Sequence, residues 1–452
     1  MENQASNTLQ IGISYRQILK MAVPISLAIF IPQLNFIINN IFLGHYQNDS
    51  DSLAVAGITG VYYLIFAAIG YGLNNGLQAL IARKAGEDKP EGIGALFNQA
   101  IYIGLILSAI GIFATYFITP VIFKLIIHEP AIRDKAIHFL QIRIWGLPLL
   151  YTYLFRNALL VGTNQSKYLI VSTLAETIAN IVFDYAFIFG HFGIPELGLN
   201  GAAFASILSE FIGLAVIFWI VRTKGIESRF RLLKNMRWDN EQNKQIMTIA
   251  YPLMFQHAIS IISWQYFFLL VEHHGALSLK ISNVMRNVFG IFGGTSWAFA
   301  SATNAMVSNL IGQNKEDKIK ILLKKILTIS SSIAITYVLL LNIFPKQFLS
   351  IFGQGDEFVE AAIPTLRVVT GALFIMSFAV VFLNTVIATG KTLITFSIEA
   401  FAILFYCAYI YWALEYKNLS VHYGWMSEWI YWACLFTPSF LYVLYGKWKK
   451  TN

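Results

Sequence analysis

Charge is scarce in this chain: 12% of its 452 residues are Asp, Glu, Lys or Arg, against 57% hydrophobic. In an ordinary soluble domain about a quarter of the residues are charged, so that class is excluded. Cysteine is nearly absent, and Cys407 and Cys434 both fall in apolar runs, which makes neither a disulfide framework nor a zinc site. Gly-rich phosphate loops, metal-ligand spacings and nucleophile elbows are missing. No polar stretch is long enough to hold a nucleotide-hydrolysing domain. We therefore expect no enzyme, no metal and no cofactor, with any energy input coming from an ion gradient. Met1 to Ser14 ends without a small-residue cleavage pattern, so no signal peptide is expected.

What is present is long apolar sequence, with a mean hydropathy of +0.61. A spanning helix needs about 20 apolar residues. Twelve such stretches can be read, near 18–44, 53–82, 95–122, 136–161, 167–190, 199–221, 246–271, 277–310, 321–343, 360–388, 391–413 and 424–445. They are too long for barrel strands and lack period-two alternation, so the expected fold is an all-α integral membrane protein. With the N-terminus in the cytoplasm, 22 of the 32 Lys and Arg residues lie on that side. That bias predicts a multi-pass protein of the cytoplasmic membrane with both termini inside. The net charge of +8 then reflects topology, and no nucleic-acid partner is expected.

The longest hydrophilic stretch, 222–245, carries Arg222, Lys224, Arg229, Arg231, Lys234, Arg237 and Lys244 and divides twelve helices into six and six. Landmarks recur across it. Ala22-Val23-Pro24 matches Ala250-Tyr251-Pro252, Ala85-Gly86-Glu87 matches Ile311-Gly312-Gln313, and Arg143 matches Arg367. The offsets predict two parallel repeats related by a pseudo-two-fold axis along the membrane normal: an N-lobe over 1–221, a cytoplasmic linker over 222–245 and a C-lobe over 246–452. Two bundles rocking around a shared cavity form a transporter architecture; the linker reads equally as a tether or as part of a gate.

Residues 176–184 place Glu176, Asn180 and Asp184 on one stripe of the fifth helix. An ionisable side chain at that depth is costly, which points to an ion or proton path. The plainer reading is a buried acid bonded to Asn180 that fixes helix packing.

Several segments resemble the multidrug and toxin extrusion (MATE) transporters. They are Pro24 to Gly44, Asn180 to Gly190 with Pro195-Glu196-Leu197-Gly198 and Gly201-Ala202-Ala203, Ala85-Gly86-Glu87, Arg143 to Pro148, and Gly312-Gln313. The resemblance spans essentially the whole chain and implies an efflux antiporter with two six-helix lobes around a V-shaped cavity, expelling organic cations in exchange for Na⁺ or H⁺. In many members an Asp on helix 1 joins an Asn and an Asp on helix 5. Asn180 and Asp184 match the latter pair, whereas the helix 1 position holds Asn39. The C-lobe carboxylates of some members correspond to Ser260 and Met376, so that cation site is not expected.

Asn39, Asn180 and Glu176 gathered around Asp184 would form an oxygen-rich set able to hold Na⁺; Asp184 alone suits a proton carrier. Glu399, at about the same place in its half as Glu176, is read either as a substitute C-lobe acid or as the partner of an Arg. Arg143 and Arg367 are expected to pair with acids or helix carbonyls. Arg286, beside Asn283 and Asn287, reads as a cavity residue that faces an anionic substrate or neutralises Glu399. Trp264 and Gln265 are candidates for the substrate cavity, because aromatic faces bind organic cations. Trp425, Trp429 and Trp432 read as interfacial belt residues. Pro24, Pro32, Pro252 and Asn74-Asn75-Gly76 are expected to interrupt or bend their helices. The expected function is efflux of amphipathic, cationic small molecules by a bilayer-embedded monomer in exchange for H⁺, with Na⁺ second. A lipid-linked saccharide flippase is the alternative.

Overall fold

The computed structural model describes residues 9–45, 52–234, 236–446 and 448, without the side chains at 34, 36, 37, 39–41, 43–45 and 52–54. The described residues form twelve long helices and no strand: α1 Tyr15–His45, α2 Ser52–Gly86, α3 Pro90–Ile126, α4 Pro130–Gly162, α5 Lys167–Phe189, α6 Gly198–Thr223, α7 Asn240–Glu272, α8 Gly275–Gly312, α9 Glu316–Ile343, α10 Asp356–Ala388, α11 Thr392–Tyr416 and α12 Ser427–Tyr445. The shortest, α12 with 19 residues, is about 28 Å long at 1.5 Å per residue, close to the ~30 Å hydrocarbon core of a bilayer.

Local chemistry sets the helix ends. Pro90 and Pro130 stand in the first turns of α3 and α4, where a missing N–H costs nothing. Asp239 caps α7 by accepting from the Glu241 and Gln242 amides at 2.9 and 3.1 Å. Gly190 closes α5 with a φ of 73°, a left-handed conformation that glycine adopts without strain. The outer faces stay apolar: Leu105, Ile110, Phe113 and Phe117 on α3 are all at least half exposed, as expected where lipid is the solvent.

Nine of these helices are apolar enough to count as spans by composition among the described residues. The central α8 is not one of them, because it buries a polar stripe of Ser296, Thr303, Asn304, Ser308 and Asn309. That stripe joins the halves. Gln78 of α2 donates to the Ser301 carbonyl at 2.9 Å and accepts from its hydroxyl at 3.0 Å; Asn304 donates to the Asn75 carbonyl at 3.0 Å.

The expected break at Asn74-Asn75-Gly76 does not occur, since α2 runs through it. Asn75 instead bonds His257 of α7 at 3.1 Å, and Gly76 lets Ala250 of α7 approach. Likewise α1, α7 and α10 continue through Pro24, Pro32, Pro252 and Pro364.

Residues 9–13 form an extended strap across one end of the bundle. Asn309 accepts from the Ile11 amide at 3.0 Å and donates to the Leu9 carbonyl at 3.1 Å. Gln313 and Lys325 bond the Ile11 and Ile13 carbonyls, while the Leu9 amide reaches Asp88 beyond α2. The segment after α6 is docked as well. Asn98 of α3 bonds the Leu233 amide and Lys234 carbonyl, and Gln99 bonds the Asp239 amide and Arg237 carbonyl. The last residues expected in this linker, 240–245, belong to α7.

Three expectations need correction, two for tryptophans and one for an arginine. Trp425 is fully buried, donates to the Ser282 hydroxyl at 3.0 Å and packs against Phe267, so it is core and not belt. Trp432 is also buried, whereas Trp429 remains partly exposed and bonds the Val368 carbonyl. Arg367 is exposed with no ion pair among the described residues, unlike its repeat counterpart Arg143. Among the described residues no acid of the second half lies within ion-pair distance of Arg367.

Candidate functional site

Within the N-terminal six helices, α5 carries the polar stripe toward α1. Asp184 is fully buried and Asn180 nearly so. The Asn35 amide of α1 donates to the Asn180 side-chain oxygen at 2.6 Å. Asn35 was missed by sequence reasoning, although it lies one turn before Asn39 and faces the same way along a helix. Asn39 falls in α1, but its side chain is outside the described residues.

Glu176, one turn before Asn180, is half-buried and turns toward α6, where a Cβ on Gly213 would lie 2.9 Å from its own Cβ. It joins a second set of charges. Arg143 of α4 forms a forked pair with Glu210 of α6 at 2.5 and 3.2 Å and lies 4.0 Å from the Tyr63 ring centroid. Arg156 is buried, donates to Asn157 at 3.2 Å and covers the Tyr153 ring at 4.2 Å. Glu176 feels the charges of Glu210, Arg156 and Arg143, so the structure divides the stripe: Asn180 bonds α1, Asp184 lies buried one turn on, and Glu176 belongs to the arginine layer.

In the other half Glu399 of α11 is buried at 1% exposure. It accepts hydrogen bonds from Ser260 and from Tyr431, and from Gln256 at 3.2 Å. Neither Arg286 nor another cation pairs with it among the described residues, which corrects the neutralisation reading. Arg286 is half-buried and lies 5.3 Å from the Phe268 ring centroid. Asn283 and Gln265 are half-buried on α8 and α7.

Trp264, expected to bind substrate, packs edge-on against Phe268 and sits beside Glu428. Glu428 is buried in the first turn of α12 and accepts from the Trp432 indole at 3.0 Å. It too went unnoticed in the sequence, though an acid inside the last apolar stretch was signal enough.

The MatE family pattern matches residues 24–186 and again 252–412, beginning at Pro24 and Pro252. The chain is 22% identical over 446 residues to the probable multidrug resistance protein NorM of Thermotoga maritima, covering 96% of this chain and 93% of that one. It is 24% identical over 344 residues to the NorM protein of Bacillus cereus, covering 75% of each. Its fold is similar to that of a MOP superfamily transporter from Pyrococcus furiosus described as having a binding pocket of reverse polarity (TM-score 0.88, 18% identity, full coverage of both chains). An outward-facing multidrug resistance MATE transporter matches equally well (TM-score 0.88, 18% identity, full coverage of both chains). Both halves of this twelve-helix, two-lobe protein match the same pattern, and the chain belongs to the MatE family, the multidrug and toxin extrusion transporters.

Proposed function

We propose that this protein is a secondary active antiporter, and not an enzyme, that exports amphipathic, cationic compounds in exchange for H⁺, with Na⁺ the second choice. The reading places it as a monomer in the cytoplasmic membrane, with both termini and the 222–245 linker inside. The units that move are residues 1–221 and 246–452. The observation that carries it is the burial of Asp184 one turn from Asn180, which bonds α1, since an acid inside a spanning helix marks an ion or proton path. Asp184 is the residue whose protonation changes during the cycle. H⁺ leads because one carboxyl suffices to carry a proton, whereas Na⁺ asks for several oxygen ligands and the family's helix 1 carboxylate is replaced by Asn39.

Reconstituted vesicles test this. A pH jump should drive uptake of a fluorescent organic cation into inverted vesicles; absence of cation flux under any H⁺ or Na⁺ gradient overturns the proposal. The flippase reading keeps one supporting observation, a half-buried Arg286 with no ion pair among the described residues. Arg286→Ala should leave cation export intact in an antiporter and abolish movement of a lipid-linked pyrophosphate sugar in a flippase, because charge-assisted bonds to phosphate would be lost.

A further inference from the structure

Residues 9–13 stand just before α1, yet α8 and α9 of the other half hold most of their main chain. Leu9 and Ile11 are buried while Gln10 and Gly12 face outward, the period-two alternation of an extended segment lying on an apolar surface. From α8, the Asn309 side chain accepts from the Ile11 amide at 3.0 Å and donates to the Leu9 carbonyl at 3.1 Å. Gln313, one turn on, donates to the Ile11 carbonyl at 3.2 Å. From α9, the Lys325 ammonium donates to the Ile13 carbonyl at 3.1 Å and lies 5.4 Å from the Tyr15 ring centroid.

Both flanks of the strap are tied to the N-terminal half. Gln17 donates to Asn164 in the α4–α5 turn at 2.7 Å, and Ser166 donates to the Met21 carbonyl at 3.3 Å. At the other flank the Leu9 amide donates to Asp88 and the Gln10 side chain to the Gly86 carbonyl, each at 3.3 Å. The strap therefore crosses the seam between the halves. Asn309 closes the same seam directly by donating to the Ala82 carbonyl of α2 at 3.2 Å, and Arg83 does so by donating to the Ala388 carbonyl of α10 at 2.8 Å.

We propose that residues 9–13 form a releasable latch, which holds the two halves together at this end and lets go of α8 and α9 before the halves part there. Every bond from the C-terminal half runs from a helix side chain to strap main chain, so release breaks no bond within a helix. The freed groups pass to water at the end of the bundle, and exchanging protein for water partners has a small net cost. Only two buried apolar side chains, Leu9 and Ile11, leave the core. Such a segment belongs to the low-stability end of a fold, from which moving elements are drawn. The inference rests on the two moving halves of the antiport reading, and it is independent of which ion or substrate is carried.

Spin labels at Lys89, exposed beyond α2, and at Lys320, exposed on α9, read the separation of the halves at this end in the full chain in lipid nanodiscs. Hydrogen exchange at residues 9–13 reads the latch itself. Ile11→Ser removes a buried anchor, and Lys325→Met removes the Ile13 bond and the Tyr15 contact. Both should speed exchange at 9–13 and raise the ratio of wide to narrow label distances about five- to thirtyfold, as one or two lost hydrogen bonds would. Lys325→Arg keeps a donor and should stay near the wild type, as should Gly12→Ala, whose Cβ meets nothing within 4 Å. Faster exchange at the strap with an unchanged distance ratio overturns the latch, and so does exchange that neither variant alters. If Ile11→Ser does not fold, the Lys325 pair carries the test. Distances that respond to a gradient but not to the strap overturn the latch alone. Distances that never change in the wild type overturn the moving halves with it, whereas vesicles without cation flux overturn the antiport reading and leave the latch standing.

Discussion

Gly86 and Gly312, equivalent positions of the two sequence halves, meet each other at the strap end of the bundle. A Cβ on Gly312 would stand 3.0 Å from the Gly86 Cα and 2.2 Å from the Arg83 carbonyl oxygen, and one on Gly86 would stand 2.0 Å from the Asn309 carbonyl oxygen. Backbones come this close in membranes only where small residues let them. The atoms in the way are main chain, so they cannot rotate aside.

Gly86→Ala and Gly312→Ala should therefore destabilise this end of the bundle by about 1–3 kcal/mol, the usual cost of overpacking. Gly57→Ala, where a Cβ meets nothing within 4 Å, should be neutral or gain up to ~1 kcal/mol from its helical position. Thermal unfolding midpoints in detergent check the ordering, and a spin-label pair across the two helices should report a wider gap in the first two variants.

Asp184→Asn should fold and insert but lose gradient-driven efflux, because the amide keeps the shape and removes the titrating proton. Asn35→Ala removes the hydrogen bond to Asn180, with a net worth of ~0.5–1.5 kcal/mol, and should slow transport by about tenfold or less. Asn39→Asp should raise Na⁺ dependence by returning a carboxylate to helix 1. Efflux in vesicles under separate H⁺ and Na⁺ gradients measures all three, and unchanged pH dependence in Asp184→Asn would remove that residue from the mechanism.

Glu210→Gln should be far more damaging than its conservative look suggests. It leaves the largely covered Arg143 without its acid, and breaking a fully buried pair costs about 3–5 kcal/mol, which sets the upper bound here. The double variant Arg143→Gln with Glu210→Gln should recover most of the loss. Yield of folded protein and the unfolding midpoint of single and double variants provide the comparison.

Asn309→Ala should release the strap. Its side chain bonds Leu9, Ile11 and Ala82, and orphaning such buried backbone groups costs about 1–3 kcal/mol. Hydrogen exchange at residues 9–13 should rise while the α11 and α12 amides stay protected.

The charge bias of the loops makes a topological forecast. Cysteines introduced at Ser228 and Ile194 should be labelled from opposite faces of the membrane, Ser228 from the cytoplasm. Labelling from a common face would overturn the orientation.

Much of the fold was legible because lipid imposes a blunt rule: each span must be helical and apolar for about 20 residues. The helix count and the six-plus-six division follow from hydropathy and from repeated Pro and Gly landmarks alone. Asn180 and Asp184 were legible for the same reason, as polar residues on a four-residue spacing in a greasy helix. Local chemistry misled at Asn74-Asn75-Gly76 and at Trp425, since a neighbouring helix can satisfy asparagines and bury an indole that sequence alone assigns to a break or an interface.

Sequence by itself determined the membrane class, the repeat, the family resemblance and that Glu176, Asp184 and Glu399 fall in apolar helices. Only tertiary structure decided their partners. Among the described residues Arg143 found Glu210 while Arg367 found no acid, Glu176 turned to the arginine layer, and Glu399 met Ser260, Gln256 and Tyr431 in place of an arginine. Depth in the membrane is a property of a residue's position along its own helix. A partner depends on the rotation and offset of another helix, which packing of both surfaces sets together.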